Sequence, residues 1–353
     1  MGTESIEASF LSIFALITFF IFLVISKLSH KIKNGALLDS NFIKPQAFHE
    51  LPITRSGGIA SLISLIVFFG IYYLLYSKIL IDYILISFSM FLIGFLDDLK
   101  INIKPLKRLL IMIFFLSACI YLLPIRIWNI DIPFLTFLIR NEIFSTLFVL
   151  LCFLFIINGA NLIDGFNGLL AINLIIINII LTYINILNAN DEFSLILIAQ
   201  IILLLSFLLF NFPHAKIFLG DSGAYLMGSL LALNTILTNN INPNVSSFFF
   251  CTLLFYPFFE VFFSFFRKIY QKKSPIHPDG LHLHMLSFYL MRSKFGKFKG
   301  NFLNSIIINV CYLILIFPGL YFFDNPVLSR YWFFALLLIY LIIYIRLYRL
   351  IKN

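Results

Sequence analysis

Residues 79–100 read ILIDYILISFSMFLIGFLDDLK, an apolar run of membrane-spanning length that ends in two adjacent acids and a lysine. A transmembrane helix needs about 20 consecutive apolar residues to cross the hydrocarbon core of a bilayer. The run over residues 79–96 comes close to that length, and Asp97, Asp98 and Lys100 follow it directly. The stretch therefore predicts a membrane helix that delivers a pair of carboxylates to one membrane surface.

The same combination of long apolar runs and short polar junctions extends along the whole chain of 353 residues. Hydrophobic residues make up 61% of it and charged residues 12%, with a mean hydropathy of +1.02, whereas about a quarter of a soluble domain is charged. The composition predicts an all-α polytopic membrane protein, with residues 1–353 as a single integral membrane domain. The four cysteines lie inside apolar runs without a C-x-x-C pair, so neither a disulfide framework nor a zinc site is expected.

Eleven apolar segments predict eleven transmembrane helices. We place them near residues 8–28, 56–76, 79–96, 106–123, 143–160, 166–187, 193–212, 223–238, 247–266, 303–323 and 328–348. With this arrangement 21 of the 25 Lys and Arg residues fall on one side, which the positive-inside rule assigns to the cytoplasm. The N-terminus is therefore expected outside and the C-terminus inside. The expected cytoplasmic loops lie near residues 29–55, 97–105, 161–166, 212–222 and 267–302.

The net charge of +9 is explained by this topology. No nucleic-acid partner is expected, because no aromatic and basic RNA-binding motif is visible. The segment before the first span carries Glu4 and Glu7 and no basic residue, which favours a retained helix over a cleaved signal peptide. On the outer side, the Ile alternation of residues 126–142 predicts a small hairpin.

Four polar clusters fall at the cytoplasmic ends of these helices, although their acids and histidines were not used to assign the topology. They are residues 97–100 (DDLK), 161–165 (NLIDG), 220–223 (GDSG) and 277–284 (HPDGLHLH). Carboxylates, imidazoles and glycines gathered at one membrane face can hold a metal ion and a phosphorylated substrate. Each cluster also has a structural explanation, namely a solvated helix end, an interhelical turn, a helix cap and a lipid-binding basic loop.

The acids favour the chemical explanation. Two adjacent acids at a helix C-terminus oppose the helix dipole, so Asp97 and Asp98 are better suited to a metal ligand or a base than to a passive cap. Asp221 begins a helix whose N–H groups form an anion site. An acid beside such amides can hold Mg²⁺ while the amides hold phosphate.

The histidines and one acid inside a span are further candidates. His282 and His284 are two residues apart, unlike the i, i+4 pair of a helical zinc site, so phosphate contact or proton transfer is favoured. Glu260 follows Pro257 within a predicted span. Because an acid is costly there, it is either a functional group or the partner of a neighbouring helix.

In this order the motifs resemble the polyprenyl-phosphate N-acetylhexosamine-1-phosphate transferase family, glycosyltransferase family 4. A further resemblance lies in the first inside loop, Thr54-Arg55-Ser56-Gly57-Gly58. The other matching residues are Asp97, Asp98, Lys100, Asn161, Asp164, Gly165, Gly168, Leu169, Asn211, Pro213, Ala215, Phe218, Gly220, Asp221, Ser222, Gly223, Ser274, Pro278, Asp279, His282 and His284. Any one motif is weak, whereas four in order over nearly the whole chain are highly specific.

The resemblance implies that a UDP-linked N-acetylhexosamine, with GlcNAc in first place, donates sugar-1-phosphate to undecaprenyl phosphate and releases UMP. This would be the first membrane step of surface polysaccharide synthesis. The resemblance implies Mg²⁺ as the cofactor, with Mn²⁺ as an alternative, and the bacterial cytoplasmic membrane as the location. A homodimer is the alternative to a monomer. Because both substrates are anionic, a divalent cation would screen their repulsion.

The resemblance also implies roles for individual residues. Asp221 would hold Mg²⁺ together with Asp97. Asp97 would act as the base, orient the lipid phosphate or attack as a nucleophile, with Asp98 beside it. His282 and His284 would contact the diphosphate. The substrate-binding positions would be Asp164, Asn211 and Phe218 on the uridine side, where Phe218 can stack on uracil, with Asn161, Lys44 and Lys100.

Three departures separate the chain from the muramyl-pentapeptide branch of the family. Asn167 stands where that branch has a second acid, Met285 stands where a further histidine is frequent, and Arg55-Ser56 differs in the first loop. They favour a GlcNAc-type or modified-hexosamine donor, with a phospho-MurNAc-pentapeptide transferase as the alternative. From other classes, a transporter or flippase would place charges near the bilayer midplane between two repeats, and a scaffold would not need these acids and histidines. Mg²⁺-dependent UMP release distinguishes the transferase from both.

Overall fold

The computed structural model describes residues 3–29, 37–39, 52–101, 103–275, 277 and 279–352. Within these ranges the chain forms thirteen α-helices and a two-stranded antiparallel ladder of β1 (Leu38–Asp39) and β2 (Ile53–Thr54). The helices are α1 (Thr3–Leu28), α2 (Gly57–Tyr76), α3 (Ile81–Asp98), α4 (Pro105–Leu122), α5 (Pro133–Leu138), α6 (Glu142–Ile163), α7 (Leu169–Leu187), α8 (Asp191–Asn211), α9 (Gly220–Ile241), α10 (Ser247–Leu253), α11 (Phe255–Tyr270), α12 (Leu283–Ile316) and α13 (Pro326–Lys352). The predicted all-α fold is confirmed.

Each of the eleven predicted spans coincides with helix in the structure. Eight helices of the described residues are long and apolar enough to cross a membrane, and α10 with α11 makes a ninth candidate, bent by 75°. The other two spans correspond to α3 and α9, which are of similar length but more polar, because α3 carries three aspartates and α9 is rich in Gly, Ser, Thr and Asn. The protein is therefore a multi-pass membrane protein. Eleven crossings with the N-terminus outside remain a prediction.

α9 lies at the centre of the bundle, where it packs against α3, α6 and α2. Nearly every side chain along it is buried, as expected for a helix surrounded by others. A Cβ at Gly94 of α3 would lie 2.4 Å from the Asp221 carbonyl oxygen, and one at Gly58 of α2 would lie 2.2 Å from Ser222 Oγ. These two glycines therefore allow α2 and α3 to pack directly against the first turn of α9.

Buried amide side chains hold α9 in register along its length. Tyr83 Oη donates to Asn234 Oδ1 at 2.8 Å, and Asn234 Nδ2 donates to Gln200 Oε1 at 2.8 Å and to Asn178 Oδ1 at 3.2 Å. These four residues, the amide ladder, come from α3, α9, α8 and α7, and none is more than 2% exposed. Because unpaired polar groups are costly in a bilayer, the amide ladder fixes the rotation and depth of α9.

The predicted hairpin in residues 126–142 is wrong. This segment contains the short helix α5 and no strand. Pro133 begins α5, where its missing N–H leaves no hydrogen bond unsatisfied. Asp131, just before it, accepts hydrogen bonds from Ser246 Oγ at 2.5 Å and Ser247 N at 2.7 Å. The segment is thus fastened to the start of α10 instead of pairing with itself.

Candidate active site

The N-terminus of α9 is capped by a side chain from another helix. Asp98, the last residue of α3, accepts hydrogen bonds from Asp221 N at 3.0 Å, Ser222 N at 2.9 Å and the Ser222 hydroxyl at 2.6 Å. Both of its oxygens are used, and the residue is 1% exposed. A carboxylate at a helix N-terminus satisfies free N–H groups and is favoured by the helix dipole. Asp98 thus fixes the start of α9, and with it the position of Asp221.

Asp97 and Asp221 meet across a guanidinium group. Arg108 Nη1, from the first turn of α4, lies 2.8 Å from Asp97 Oδ2 and 2.9 Å from Asp221 Oδ2. Asn161 Nδ2, from α6, donates to Asp221 Oδ1 at 3.1 Å. The side chains of Asp97 and Asp221 are 30% and 21% exposed, so a solute can reach them. We call Asp97, Asp98, Arg108 and Asp221 the acid cluster.

The first loop joins the acid cluster through Arg55. Its Nε and Nη2 donate to Asp39 Oδ2 at 3.1 and 2.7 Å, and its Nη1 lies 3.6 Å from Asp98 Oδ1. Burial alone would lower the pKa of Arg55, but the surrounding carboxylates, Asp221 first among them, outweigh burial and raise that pKa. Arg55 therefore stays charged and offsets part of the negative charge of the cluster.

Backbone hydrogen bonds tie the first loop to the segment before α9. Phe218 N donates to Thr54 O at 2.8 Å, Gly57 N donates back to Phe218 O at 2.9 Å, and Gly58 N donates to Leu219 O at 2.8 Å. Phe218, which the sequence predicts to stack on uracil, is held by this pairing and is half-buried. The pairing therefore fixes the backbone position from which its ring projects.

The loop after α6 contains Asp164. Asn211, the last residue of α8, forms hydrogen bonds that hold the end of that loop. Asp164 is half-buried, and removal from water raises its pKa to about 8, with the negative charge of Asp221 adding to the shift. Asn211 Oδ1 accepts from Gly168 N at 2.7 Å, and Asn211 Nδ2 donates to Ile217 O at 2.9 Å. A contact between the Asn211 amide and a nucleotide would therefore compete with one of these bonds.

The two lysines predicted to bind substrate are Lys44 and Lys100. Lys44 lies outside the described residues. Lys100 is exposed, two positions after Asp98, with a left-handed φ of 59°. A flexible ammonium group at this end of α3 adds positive charge near the acid cluster. Its contact with a substrate remains a prediction.

A second polar cluster, closed to solvent, lies where α11 meets the start of α12. Glu260 Oε2 is 2.9 Å from His282 Nδ1, and Glu260 Oε1 accepts from Leu283 N at 3.2 Å. His284 Nδ1 is 3.2 Å from the Tyr256 hydroxyl and 3.7 Å from Glu260 Oε1. The side chains of Glu260, His282 and His284 are at most 1% exposed. We call Tyr256, Glu260, His282 and His284 the histidine cluster.

The two imidazole rings are parallel within 8°, and their centroids are 5.5 Å apart. Within the described chain neither Nε2 makes a hydrogen bond of normal geometry. The Leu162 backbone interacts with His284, and Asp279 Oδ1 lies 3.6 Å from His282 Nε2. Most buried polar atoms have partners, so these two nitrogens are available to a ligand or to water.

Buried cations hold the loop that leads into α12. Arg267 makes a two-point contact with Asp279, at 2.6 and 3.1 Å. Lys268 Nζ donates to the carbonyls of Pro275 and His277 at 3.3 and 2.8 Å. Burial would raise the pKa of Asp279, but the hydrogen bonds and charge of Arg267 lower it, so the acid stays ionised. Two basic residues that the sequence assigned to topology therefore have a structural role.

The structure groups Asp97, Asp98 and Asp221 with Arg108 in the acid cluster, and His282 and His284 with Glu260 in the histidine cluster. Arg108 was missed as a site residue, because its charge was attributed to topology alone and its partner Asp221 is 113 positions away. Glu260 was recognised from its place inside a span, and the structure pairs it with His282, 22 positions further along the chain. The signal for Arg108 that the sequence did offer was its position one turn into a helix that follows Asp97 and Asp98.

Comparison with known proteins shows which family the chain resembles. Residues 80–239, which contain the acid cluster, match Glycosyl transferase family 4. Over this part of its length the chain is similar to that family. Alignment of this transferase with undecaprenyl-phosphate alpha-N-acetylglucosaminyl 1-phosphate transferase of Thermotoga maritima gives 26% identity over 291 residues, which cover 81% of this chain and 82% of the relative.

Two further relatives of the transferase are phospho-N-acetylmuramoyl-pentapeptide-transferases. The protein of Clostridioides difficile is 27% identical and that of Staphylococcus saprophyticus 31% identical, each over 198 residues. These alignments cover 52% of this chain and 62% and 61% of the two relatives. The predicted resemblance to this family is therefore confirmed. The histidine cluster lies on the C-terminal side of the residues that match the family.

Proposed function

We propose that this transferase moves N-acetylhexosamine-1-phosphate, with GlcNAc-1-phosphate in first place, from a UDP-sugar to undecaprenyl phosphate and releases UMP. The observation that carries the proposal is the acid cluster, in which Asp97 and Asp221 meet around one cationic group at one end of the helix bundle. Of the three relatives above, the one aligned over most of its length is named for this reaction. We place the reaction at the cytoplasmic face of a bacterial cytoplasmic membrane, as the first membrane step of surface polysaccharide synthesis.

We propose Mg²⁺ as the cofactor, with Mn²⁺ as the alternative. Among the described residues, no three His, Cys, Asp or Glu side chains are placed to hold a metal ion by themselves. Proteins usually bind Mg²⁺ through one or two carboxylates together with substrate phosphates and water. Asp97 and Asp221, both within 2.9 Å of Arg108 Nη1, supply such a pair. Bound there, Mg²⁺ would screen the repulsion between the substrates and stabilise negative charge on the leaving UMP.

Asp97 is better placed than Asp98 to contact a substrate. Asp97 is 30% exposed, whereas the oxygens of Asp98 are both bonded to the start of α9. Asp97 would orient the attacking lipid phosphate, or attack as a nucleophile in a two-step transfer, while Asp98 keeps Asp221 in place. Arg108 carries a positive charge on a flexible side chain and would pair with a phosphate of the donor.

The remaining side chains would recognise the donor. Asp164, with a pKa of about 8, is largely protonated at neutral pH and can donate a hydrogen bond to the uridine side. Phe218 would stack on uracil, and His282 and His284 would contact the diphosphate. The other residues proposed to bind substrate are Asn161, Asn211, Lys44 and Lys100. The protein would act as a monomer or as a homodimer.

The second candidate is a phospho-N-acetylmuramoyl-pentapeptide transferase, because two of the relatives carry that name. The two candidates share the lipid acceptor and the release of UMP, and differ in the donor. This candidate is second for two reasons. Asn167 and Met285 depart from the muramyl-pentapeptide branch, and the alignment with the GlcNAc enzyme covers more of the chain.

The test uses purified protein in detergent with Mg²⁺, undecaprenyl phosphate and UDP-GlcNAc, assayed for UMP beside Asp221→Ala. The expected result is UMP release that requires the lipid, the metal and Asp221. A parallel reaction with UDP-MurNAc-pentapeptide decides between the two candidates. Folded protein that releases no UMP from any UDP-hexosamine would reject the proposal and favour a transporter.

A further inference from the structure

Glu260 is an acid inside the bent α10–α11 pair, and both of its oxygens are engaged. Oε2 contacts His282 Nδ1 at 2.9 Å, and Oε1 accepts from Leu283 N at 3.2 Å. Leu283 is the first residue of α12, so its N–H is one of the free donors of a helix start. The helix terminus therefore anchors the carboxylate independently of the imidazole. A carboxylate fixed in this way can fix the ring of His282.

A carboxylate on one imidazole nitrogen decides what the other nitrogen can offer. An ionised carboxylate only accepts hydrogen bonds, so in this contact His282 Nδ1 carries a proton. Nε2, on the opposite side of the ring, then accepts a hydrogen bond if the ring is neutral and donates one if it is charged. The same logic fixes imidazole tautomers in metal sites and in catalytic triads.

The free nitrogen of His282 is not used by its neighbours. His282 is 1% exposed, and its Nε2 lacks a hydrogen-bond partner within the described chain. The nearest acid oxygen, Asp279 Oδ1 at 3.6 Å, is beyond hydrogen-bond distance and belongs to a carboxylate already bound at two points by Arg267. A buried nitrogen of this kind is explained by a partner that arrives with a ligand.

His284 is a different case. Its Nδ1 faces the Tyr256 hydroxyl at 3.2 Å, its ring packs edge-on against Phe166 at 5.8 Å, and the Leu162 backbone interacts with it. These contacts come from three separate elements and hold the ring in place. His284 therefore supports the parallel ring of His282, which is the imidazole with the freer nitrogen.

We infer that Glu260 is a positioning residue, which accepts from His282 Nδ1–H and so holds the charged, doubly protonated ring with Nε2–H directed at an anionic phosphate oxygen of a substrate. The inference rests on the proposed function, because the UDP-sugar and the lipid phosphate are the two sources of such an oxygen. Glu260 touches neither substrate. Its effect on the reaction passes through His282.

The first test observes the imidazole without catalysis. The full-length protein is labelled with ¹⁵N-histidine in detergent, and the His282 signals are assigned by comparison with His282→Asn. In Glu260→Gln the amide can donate to Nδ1, which only a neutral ring can accept, so the His282 signals should shift from those of the doubly protonated ring towards those of the neutral Nε2–H tautomer. Glu192→Gln is the matched control, because Glu192 pairs with Lys78 and Tyr72 at the other end of α2 and should leave the His282 signals unchanged.

The second test is a double-mutant cycle on UMP release. We expect Glu260→Gln and His282→Asn each to lower kcat/KM by about 10- to 100-fold, as for other residues that orient a ligand. The kcat/KM of the double variant should be no lower than that of His282→Asn alone, because both changes remove the same contact between His282 and the substrate. A rise in KM for UDP-GlcNAc would assign that contact to the donor, and a rise in KM for undecaprenyl phosphate would assign it to the lipid.

Two results would overturn the inference: unchanged His282 signals in folded Glu260→Gln, or losses in the double variant that multiply. If Glu260→Gln does not fold, Glu260→Asp keeps the charge but shortens its reach, and a smaller shift of the same His282 signals is expected. Wild-type protein that releases no UMP from any UDP-sugar would reject the proposed function, while the ¹⁵N signals would still decide whether Glu260 orients His282.

Discussion

The acid cluster and the histidine cluster both place carboxylates against cationic or ring nitrogens, but one is open and the other is closed. In the acid cluster, Asp97 is 30% exposed and Arg108 20% exposed. In the histidine cluster, Glu260 and His282 are each 1% exposed. Water screens charges in the open cluster, and a ligand can replace one partner with another. In the closed cluster only fixed partners offset the cost of burial.

This difference in exposure separates two kinds of side chain. Exposed side chains can change their hydrogen-bond or ion-pair partners when a ligand binds, whereas buried side chains keep their partners and fix the positions of neighbouring groups. A substitution in the open cluster should abolish the reaction and leave the fold intact. A substitution among groups that are closed to solvent should reduce stability together with activity. Asp98 is the informative exception, because it neighbours Asp97 in sequence but has the burial and fixed partners of the closed cluster.

The largest expected effect is the loss of UMP release in Asp97→Asn and Asp221→Asn. We expect a decrease of about 10³-fold or more, since each change removes a carboxylate proposed to hold Mg²⁺, and Asp97→Asn also removes the group proposed to orient or attack the phosphate. The melting temperature should stay within a few degrees of wild type or rise, because fewer acids then repel one another. Glu142→Gln, at an exposed acid near the start of α6, is the control and should retain activity. If either aspartate variant retained a tenth of the wild-type activity, the proposal that Asp97 and Asp221 take part in the reaction would be contradicted.

Asp98→Asn should reduce stability, in contrast with Asp97→Asn. An asparagine oxygen can accept from one N–H of α9, but its amide group would face the other donor, which costs about 1–3 kcal/mol for an unsatisfied buried group. We expect a lower melting temperature in thermal unfolding and a partial loss of UMP release at temperatures where the variant is folded. If Asp98→Asn were as stable as wild type and fully inactive, Asp98 would be the catalytic acid that the sequence predicts.

Arg108→Gln tests whether Mg²⁺ can replace the Arg108 guanidinium group in the acid cluster. If Mg²⁺ binds Asp97 and Asp221 as proposed, the guanidinium group competes with it, and removal of that group should lower the Mg²⁺ concentration for half-maximal thermal stabilisation by about tenfold, or roughly 1.4 kcal/mol. Arg108→Lys keeps the charge and should resemble wild type more closely. The measurement is the shift of the melting temperature during a Mg²⁺ titration. Weaker Mg²⁺ binding in Arg108→Gln would show that the two groups do not compete.

The smallest effect on UMP release should come from Asp164→Asn, which should instead change the pH dependence of stability. In the folded protein Asp164 has a pKa of about 8, whereas in the unfolded chain it ionises near its usual pKa of about 4. The folded state thus binds the proton more tightly, and the stability from protonated Asp164 is lost as pH rises from about 4 to 8. The variant should gain melting temperature relative to wild type across this range. A constant difference between the two proteins would mean that Asp164 ionises normally.

The sequence predicted the helices well, because an apolar run and its polar ends are local features. The eleven spans and the acids Asp97, Asp98 and Asp221 follow from such runs. The sequence could not assign Asp98 to the cap of α9, since that contact joins residues 124 positions apart. It also missed α5, where Pro133 and the contacts of Asp131 outweigh the alternating Ile pattern. Long-range partners and local alternation were thus the two weak points.

The amide ladder has a consequence for the synthesis of the chain. Tyr83, Asn178 and Gln200 are made before Asn234, the residue that joins them. Until α9 enters the membrane, these three side chains must find temporary partners in lipid, in water or at the insertion machinery. A ribosome that stalls before α9 therefore leaves a bundle with exposed polar groups, and such a bundle is a substrate for membrane quality-control proteases.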